Sequence, residues 1–106
     1  MRRPGVTLSD YAGADVIEQA QWYELQAGPA LATRWERAVT STLSRIARYP
    51  EAGAPCRFQA EELRGTRRVL VAGFPKHLIF YRCFEEEILI LRVVHGARDL
   101  ESLFST

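Results

Sequence analysis

The chain has 106 residues and a mass of 12.1 kDa, with 47% hydrophobic, 10% aromatic and 25% charged side chains. This is the profile of one globular domain over residues 1–106, and it excludes a two-domain enzyme, an independent cofactor-binding domain and a disordered chain. Fourteen Lys+Arg against thirteen Asp+Glu leave a net charge of +1, so any case for nucleic-acid or membrane binding must rest on local clustering.

Val6 and Leu8 form a short apolar stretch, followed by Ser9 and Asp10, either of which accepts hydrogen bonds from the free N–H groups of a starting helix. Val16, Ala20, Tyr23 and Ala27 recur at spacings of four, three and four, which predicts a helix to Ala27. Gly28 and Pro29 end it and open a second helix, since Gly tolerates a left-handed backbone and Pro suits a first helical turn. Leu31, Trp35, Ala38, Val39, Thr42 and Ile46 share one stripe of that second helix, with Arg34, Arg37, Arg45 and Arg48 largely off it. So short a link predicts an antiparallel helical hairpin. Trp22, Tyr23 and Trp35 flank the turn and are read as core packing.

Pro50 stops the second helix, residues 50–55 are turn-rich, and the loop runs on past Cys56. Beyond Leu63 the period changes. The runs RRVLVA, HLIFYRCF and EILILRVV, separated by Gly73 with Pro75 and by Glu85, Glu86 and Glu87, predict three strands in a meander. Ile88 and Ile90 fall on one face, Leu89, Leu91 and Val93 on the other, and Phe80 and Tyr81 on opposite faces. A helical hairpin covers only one face. The second is expected to be partly buried by the N-terminal strand and the tail, or kept for a partner. After Gly96, the segment ARDLESLF makes one or two helical turns. The fold class is α+β.

Several residues carry candidate chemistry. Between Leu63 and Phe84 stand Arg64, Arg67, Arg68, Lys76, Arg82 and His77 with no acid among them, a basic sheet edge that suits phosphates or an acidic partner peptide, or that simply solvates a loop entering a strand. His95 is followed by Arg98 and Asp99. An imidazole and a guanidinium at a strand end suit acid–base and phosphate-stabilising roles in RNA cleavage, and the plain alternative is an ion pair for Asp99 with His95 capping the strand. Arg92 interrupts the Ile88, Ile90, Val94 face, which is costly unless that face opens to solvent or to a partner. The Glu85–Glu87 run reads as a solvated turn. Neither that run nor the set His77, His95, Cys56 and Cys83 has metal-ligand spacing, so no metal and no cofactor are expected. Cys56 and Cys83 are also too few and too far apart for a disulfide framework. No window approaches 18 uncharged apolar residues, and MRRPGV leads into Asp10 and Asp15 rather than an apolar run. These features together predict a protein of the reducing cytoplasm with no membrane association.

The segments WYELQAGPALATRW (22–35), RIARYPEAGAP (45–55), HLIFYR (77–82) and above all RVVHGARDL (92–100) resemble the RelE/ParE superfamily of bacterial toxins from type II toxin-antitoxin systems, with the closer match to its ParE, or plasmid-stabilisation, branch. The resemblance runs over essentially the whole chain and implies a strand, a helical hairpin and an antiparallel sheet of three further strands. It also implies a cognate antitoxin that wraps the toxin. Members that cut mRNA on the ribosome carry basic residues at positions that fall here near Val69, Val71 and Leu78, an arginine matching Arg98 and a tail tyrosine matching Phe104. Only Arg98 survives. The resemblance therefore implies inhibition of DNA gyrase by direct binding, with Arg92, His95, Arg98 and Asp99 facing the target and Arg64, Arg67, Arg68, Lys76 and Arg82 facing antitoxin or phosphate. The alternative is a ribosome-dependent mRNA endonuclease with His77 or His95 as base and Arg98 on the phosphate.

Overall fold

A computed structural model describes residues 5–96. The elements run β1 (Gly5–Leu8), α1 (Asp10–Ala27), α2 (Pro29–Arg48), β2 (Ala54–Pro55), a 3-10 turn (Glu61–Leu63), β3 (Arg67–Val71), β4 (Phe74–Phe84) and β5 (Glu87–His95). The strands form one mixed sheet in the order β1-β5-β4-β3-β2. β3, β4 and β5 are the antiparallel meander, and β1 pairs in parallel with the first half of β5, Val6 opposite Ile88 and Leu8 opposite Ile90. The α+β architecture, the hairpin and the meander are those predicted.

Helix boundaries follow local chemistry. Ser9 sits in an extended conformation and its Oγ accepts from the Ala12 N–H at 3.0 Å, while its own hydroxyl donates to the Leu91 carbonyl at 2.8 Å. One side chain thus caps α1 and ties the cap to β5. Gly28, at φ 91°, closes α1 and immediately precedes Pro29 at the start of α2. A side chain there would be strained, so the sharp reversal between helices depends on glycine.

The core lies between the hairpin and one face of the sheet. Ala12, Ala20, Ala32, Trp35, Val39 and Ile46 from the helices meet Val71, Ile79, Tyr81, Ile88, Ile90 and Val93 from the strands. The opposite face carries Leu63, Phe80, Leu91 and Val94, roofed by Cys56, Phe58 and Ala60 of the loop before the 3-10 turn. Phe80 and Tyr81 do face opposite ways. Three expectations are corrected. β1 lies at the sheet edge rather than over the second face, which the 56–63 loop covers instead; the predicted tail turn lies outside the described residues. Val93 belongs with Ile88 and Ile90, and Val94 with Leu91, because the register shifts where Tyr81 faces Ile90 but Phe80 faces Arg92. Leu91 is the extra residue of a bulge, and a bulge exchanges the faces of everything beyond it. Trp22 is 54% exposed rather than packed.

Two further features escaped prediction. Ala54 and Pro55 pair with Arg68 and Arg67 as a two-residue strand. Pro75 stands inside β4 rather than between strands, tolerated near the strand start where an absent N–H breaks few ladder bonds.

The loop after α2 is pinned by Tyr81. Its hydroxyl, fully buried, donates to the Pro50 carbonyl at 2.8 Å and accepts from the Gly53 N–H at 3.1 Å. A Cβ on Gly53 would meet that oxygen at 2.4 Å, so only glycine fits there. Tyr81→Phe leaves two backbone groups without their partner and is expected to lower stability by about 1.5–2 kcal/mol. Urea unfolding checks this, and an unchanged midpoint would contradict it.

Candidate functional site

The end of β5 and the facing side of α1 form the most developed site. Beyond Leu8 the chain leaves the sheet, and α1 takes its place beside β5. Asp15 does the joining: its carboxylate accepts from Arg92 Nε and Nη2, each at 2.8 Å, and from the Val93 N–H at 2.9 Å. Both side chains are largely buried, 16% exposed for Arg92 and 12% for Asp15. The carboxylate holds the Arg92 guanidinium above its already high usual pKa, and the Tyr11 ring lies 5.6 Å from it. Arg92 therefore satisfies its charge within the chain rather than at an open face. Two isolated charges signal this pair in the sequence: an acid next to Val16, the first residue of the predicted helical stripe, and an arginine inside an apolar strand.

Next along β5 comes a histidine pair. His77 and His95 are cross-strand partners with ring centroids 4.8 Å apart. His95 is exposed, whereas His77 is 2% exposed. Trp35 stacks at 4.4 Å from the His77 ring, Phe74 and Tyr23 close the cage, and His77 Nε2 shares a hydrogen bond of 2.8 Å with the Tyr23 hydroxyl. Burial, and then the neighbouring His95, push the His77 pKa down to about 4. Burial likewise raises the Tyr23 hydroxyl, so both partners stay neutral near pH 7. Asp15, Glu18, Trp22, Tyr23, Arg92 and His95 line an open groove of about 460 Å³ between α1 and β5.

The remaining candidate residues are dispersed. Arg67 Nη1 donates to the Glu51 and Gly53 carbonyls at 2.9 and 2.8 Å, which fastens the loop after α2. Arg82 donates to the Glu62 carbonyl and lies 4.6 Å over the Phe84 ring. Arg64, Arg68 and Lys76 are exposed, and Arg98 and Asp99 lie outside the described residues. Val71, near which the resemblance to mRNA-cutting toxins implies a basic position, is 1% exposed under the helices. Cys56 and Cys83 are free, with burial raising both thiols. Among the described residues no group of three or more His, Cys, Asp or Glu is placed to hold a metal ion, and no helix is long and apolar enough to cross a membrane.

A helical hairpin against a five-stranded mixed sheet is an architecture found in bacterial toxin-antitoxin complexes. The chain is similar to a chain of the chromosomal ParDE toxin-antitoxin system from P. aeruginosa, with a TM-score of 0.73 and 18% identity over 90% of this chain and 98% of that one. It is also similar to a chain of the RelBE2 toxin-antitoxin complex from Mycobacterium tuberculosis, with a TM-score of 0.59 and 21% identity over 89% of this chain and 99% of that one. No curated protein matches it. Residues 6–100 match the ParE toxin of the type II toxin-antitoxin system parDE, and the chain belongs to that family of toxins.

Proposed function

We propose that this toxin inhibits DNA gyrase by direct binding and is silenced by a cognate antitoxin, acting in the bacterial cytoplasm. The observation that carries the choice of a binding act over mRNA cleavage is the state of His77. An RNA-cutting base must reach the 2′-hydroxyl of its substrate, and His77 is 2% exposed with Nε2 already bonded to Tyr23. His95, the other of the chain's two histidines, is exposed, but among the described residues the arginine on its strand, Arg92, is already spent on Asp15; Arg98, which the nuclease reading would place on the phosphate, lies outside them. Val71 under the helices also removes one place for a charge on the transition state. Inhibition by binding needs no general base and no charge held on a transition state.

The groove between α1 and β5 supports an antitoxin partner. Trp22 is half exposed on its rim, and Ile17 and Leu25 of the same helix are 59% and 84% exposed. A partner segment that folds on binding can cover such scattered apolar area. The purified toxin is expected to block DNA supercoiling by purified gyrase, and antitoxin added beforehand should relieve the block. Full gyrase activity alongside ribosome-dependent cleavage of mRNA would overturn the reading.

A further inference from the structure

The net charge of +1 conceals a strong polarity between the two helices. α1 carries Asp10, Asp15, Glu18 and Glu24 and no base; α2 carries Arg34, Arg37, Arg45 and Arg48 against the single acid Glu36. At 100° per residue the four arginines fall within roughly 80° of one another around the helix, with Glu36 more than about 100° from the centre of that arc. All four are exposed, as is Ser41 between them, and none makes an ion pair with a described residue, where the one salt bridge is Arg92–Asp15. The inner face of α2, with Ala32, Trp35, Val39, Thr42 and Ile46 buried, fixes this outward orientation.

The stripe is a ladder of two pairs. Arg34 with Arg37 and Arg45 with Arg48 are centred about 16 Å apart along a helix rising 1.5 Å per residue, and the whole row spans about 21 Å. It continues off the helix: Arg45, Tyr49 and Arg68 line a hollow of about 390 Å³ between the end of α2 and β3, so Arg68 extends the positive surface onto the sheet edge. Arginine separated by Ser and Thr, with no Asn or Gln to read base edges, is the chemistry of sequence-independent phosphate contact.

We infer that the outer face of α2, through Arg34, Arg37, Arg45 and Arg48, binds the phosphate backbone of duplex DNA. The paired spacing favours a duplex over a single strand: two clusters separated by about 16 Å reach phosphates on either side of a groove, and the face lacks the row of exposed aromatics on which unpaired bases stack. The inference stands on this geometry and not on the gyrase reading. If both hold, the toxin touches the duplex that its target handles.

The test is fluorescence anisotropy of a labelled 20-base-pair duplex with the full-length toxin, free of antitoxin, at 50 and 200 mM salt. Four phosphate contacts predict that affinity falls roughly 150-fold between the two, since log K changes with log salt by about −0.9 per contact. Replacing all four arginines by Gln should abolish both the binding and its salt dependence, whereas replacing all four by Lys should retain binding, and Arg57→Gln, in the loop over the opposite face of the sheet, should change little. The four side chains are exposed, so circular dichroism and thermal melting of the Gln variant should match the parent. If that variant does not fold, the double variant Arg37→Gln/Arg45→Gln, expected to halve the salt slope, serves in its place. Binding by the Gln variants equal to that of the parent would overturn the inference. So would a parent that ignores the duplex at 50 mM salt but binds a poly-glutamate peptide through the same arginines, which would make the stripe a protein-docking surface.

Discussion

Asp15→Ala is expected to lower the stability of this protein by about 3 kcal/mol, far more than a surface acid is worth. The reason is what the substitution leaves behind. Arg92 keeps its charge, is only 16% exposed and has lost both of its 2.8 Å partners, while the Val93 N–H loses its acceptor at the edge of β5. Breaking one side of a mostly buried pair exposes the desolvation penalty of the other, which exceeds the net value of the intact pair. The double variant Asp15→Ala/Arg92→Met should therefore recover much of the loss, since a linear apolar side chain needs no counter-charge. For a domain of this size the single variant should melt at least about 12 °C lower. Calorimetry of the four proteins of the cycle checks both statements. A single variant within about 0.5 kcal/mol of the parent, or a double variant no better than Asp15→Ala, would show that the clamp does not carry this weight.

The same pair shows what the sequence discloses and what it withholds. The helices were legible because each boundary is set locally: Ser9 caps, Gly28 turns, Pro29 starts and Pro50 stops. The strands were legible as runs of Val, Ile, Leu, Phe and Tyr. The bulge at Leu91 is not legible, because its signal lies in the register against β4 rather than in β5 itself, and strict alternation along β5 assigns Val93 and Val94 to the opposite faces. Arg92 stands out of place in an apolar strand, yet its partner lies 77 residues away, and only the packing of α1 on β5 brings them together. Likewise the basic segment from Arg64 to Arg82 reads as one patch in sequence. In space Arg67 and Arg82 turn back to fasten loop carbonyls, and the more continuous basic surface lies on α2, where helical periodicity and not adjacency gathers it.

His77 gives the second large expected effect, on pH dependence. Its folded pKa of about 4 lies below the ordinary value near 6.5, so the fold disfavours the protonated ring. The stability this lends is complete above about pH 6.5, is lost progressively as pH falls through that value towards 4, and changes no further below. The span corresponds to about 3 kcal/mol in all and about 2 kcal/mol between pH 7 and 5, a window that lies above most carboxylate titrations. Four elements face the ring: α1 with Tyr23, α2 with Trp35, the start of β4 with Phe74 and β5 with His95. Of these only His95 can carry a positive charge, and it opposes protonation of His77. In His77→Phe, which keeps an aromatic ring in that cage, urea unfolding at pH 7 and 5 should show the pH-dependent loss reduced by about 2 kcal/mol relative to the parent. An equal loss in both proteins would place the titration elsewhere. The same low pKa bears on function. A general base works best with a pKa near the working pH, and a ring that holds protons only below about 4 is weak as a base as well as out of reach. If the protein nevertheless cleaved mRNA through His77, its rate would have to be level from pH 5 to 8.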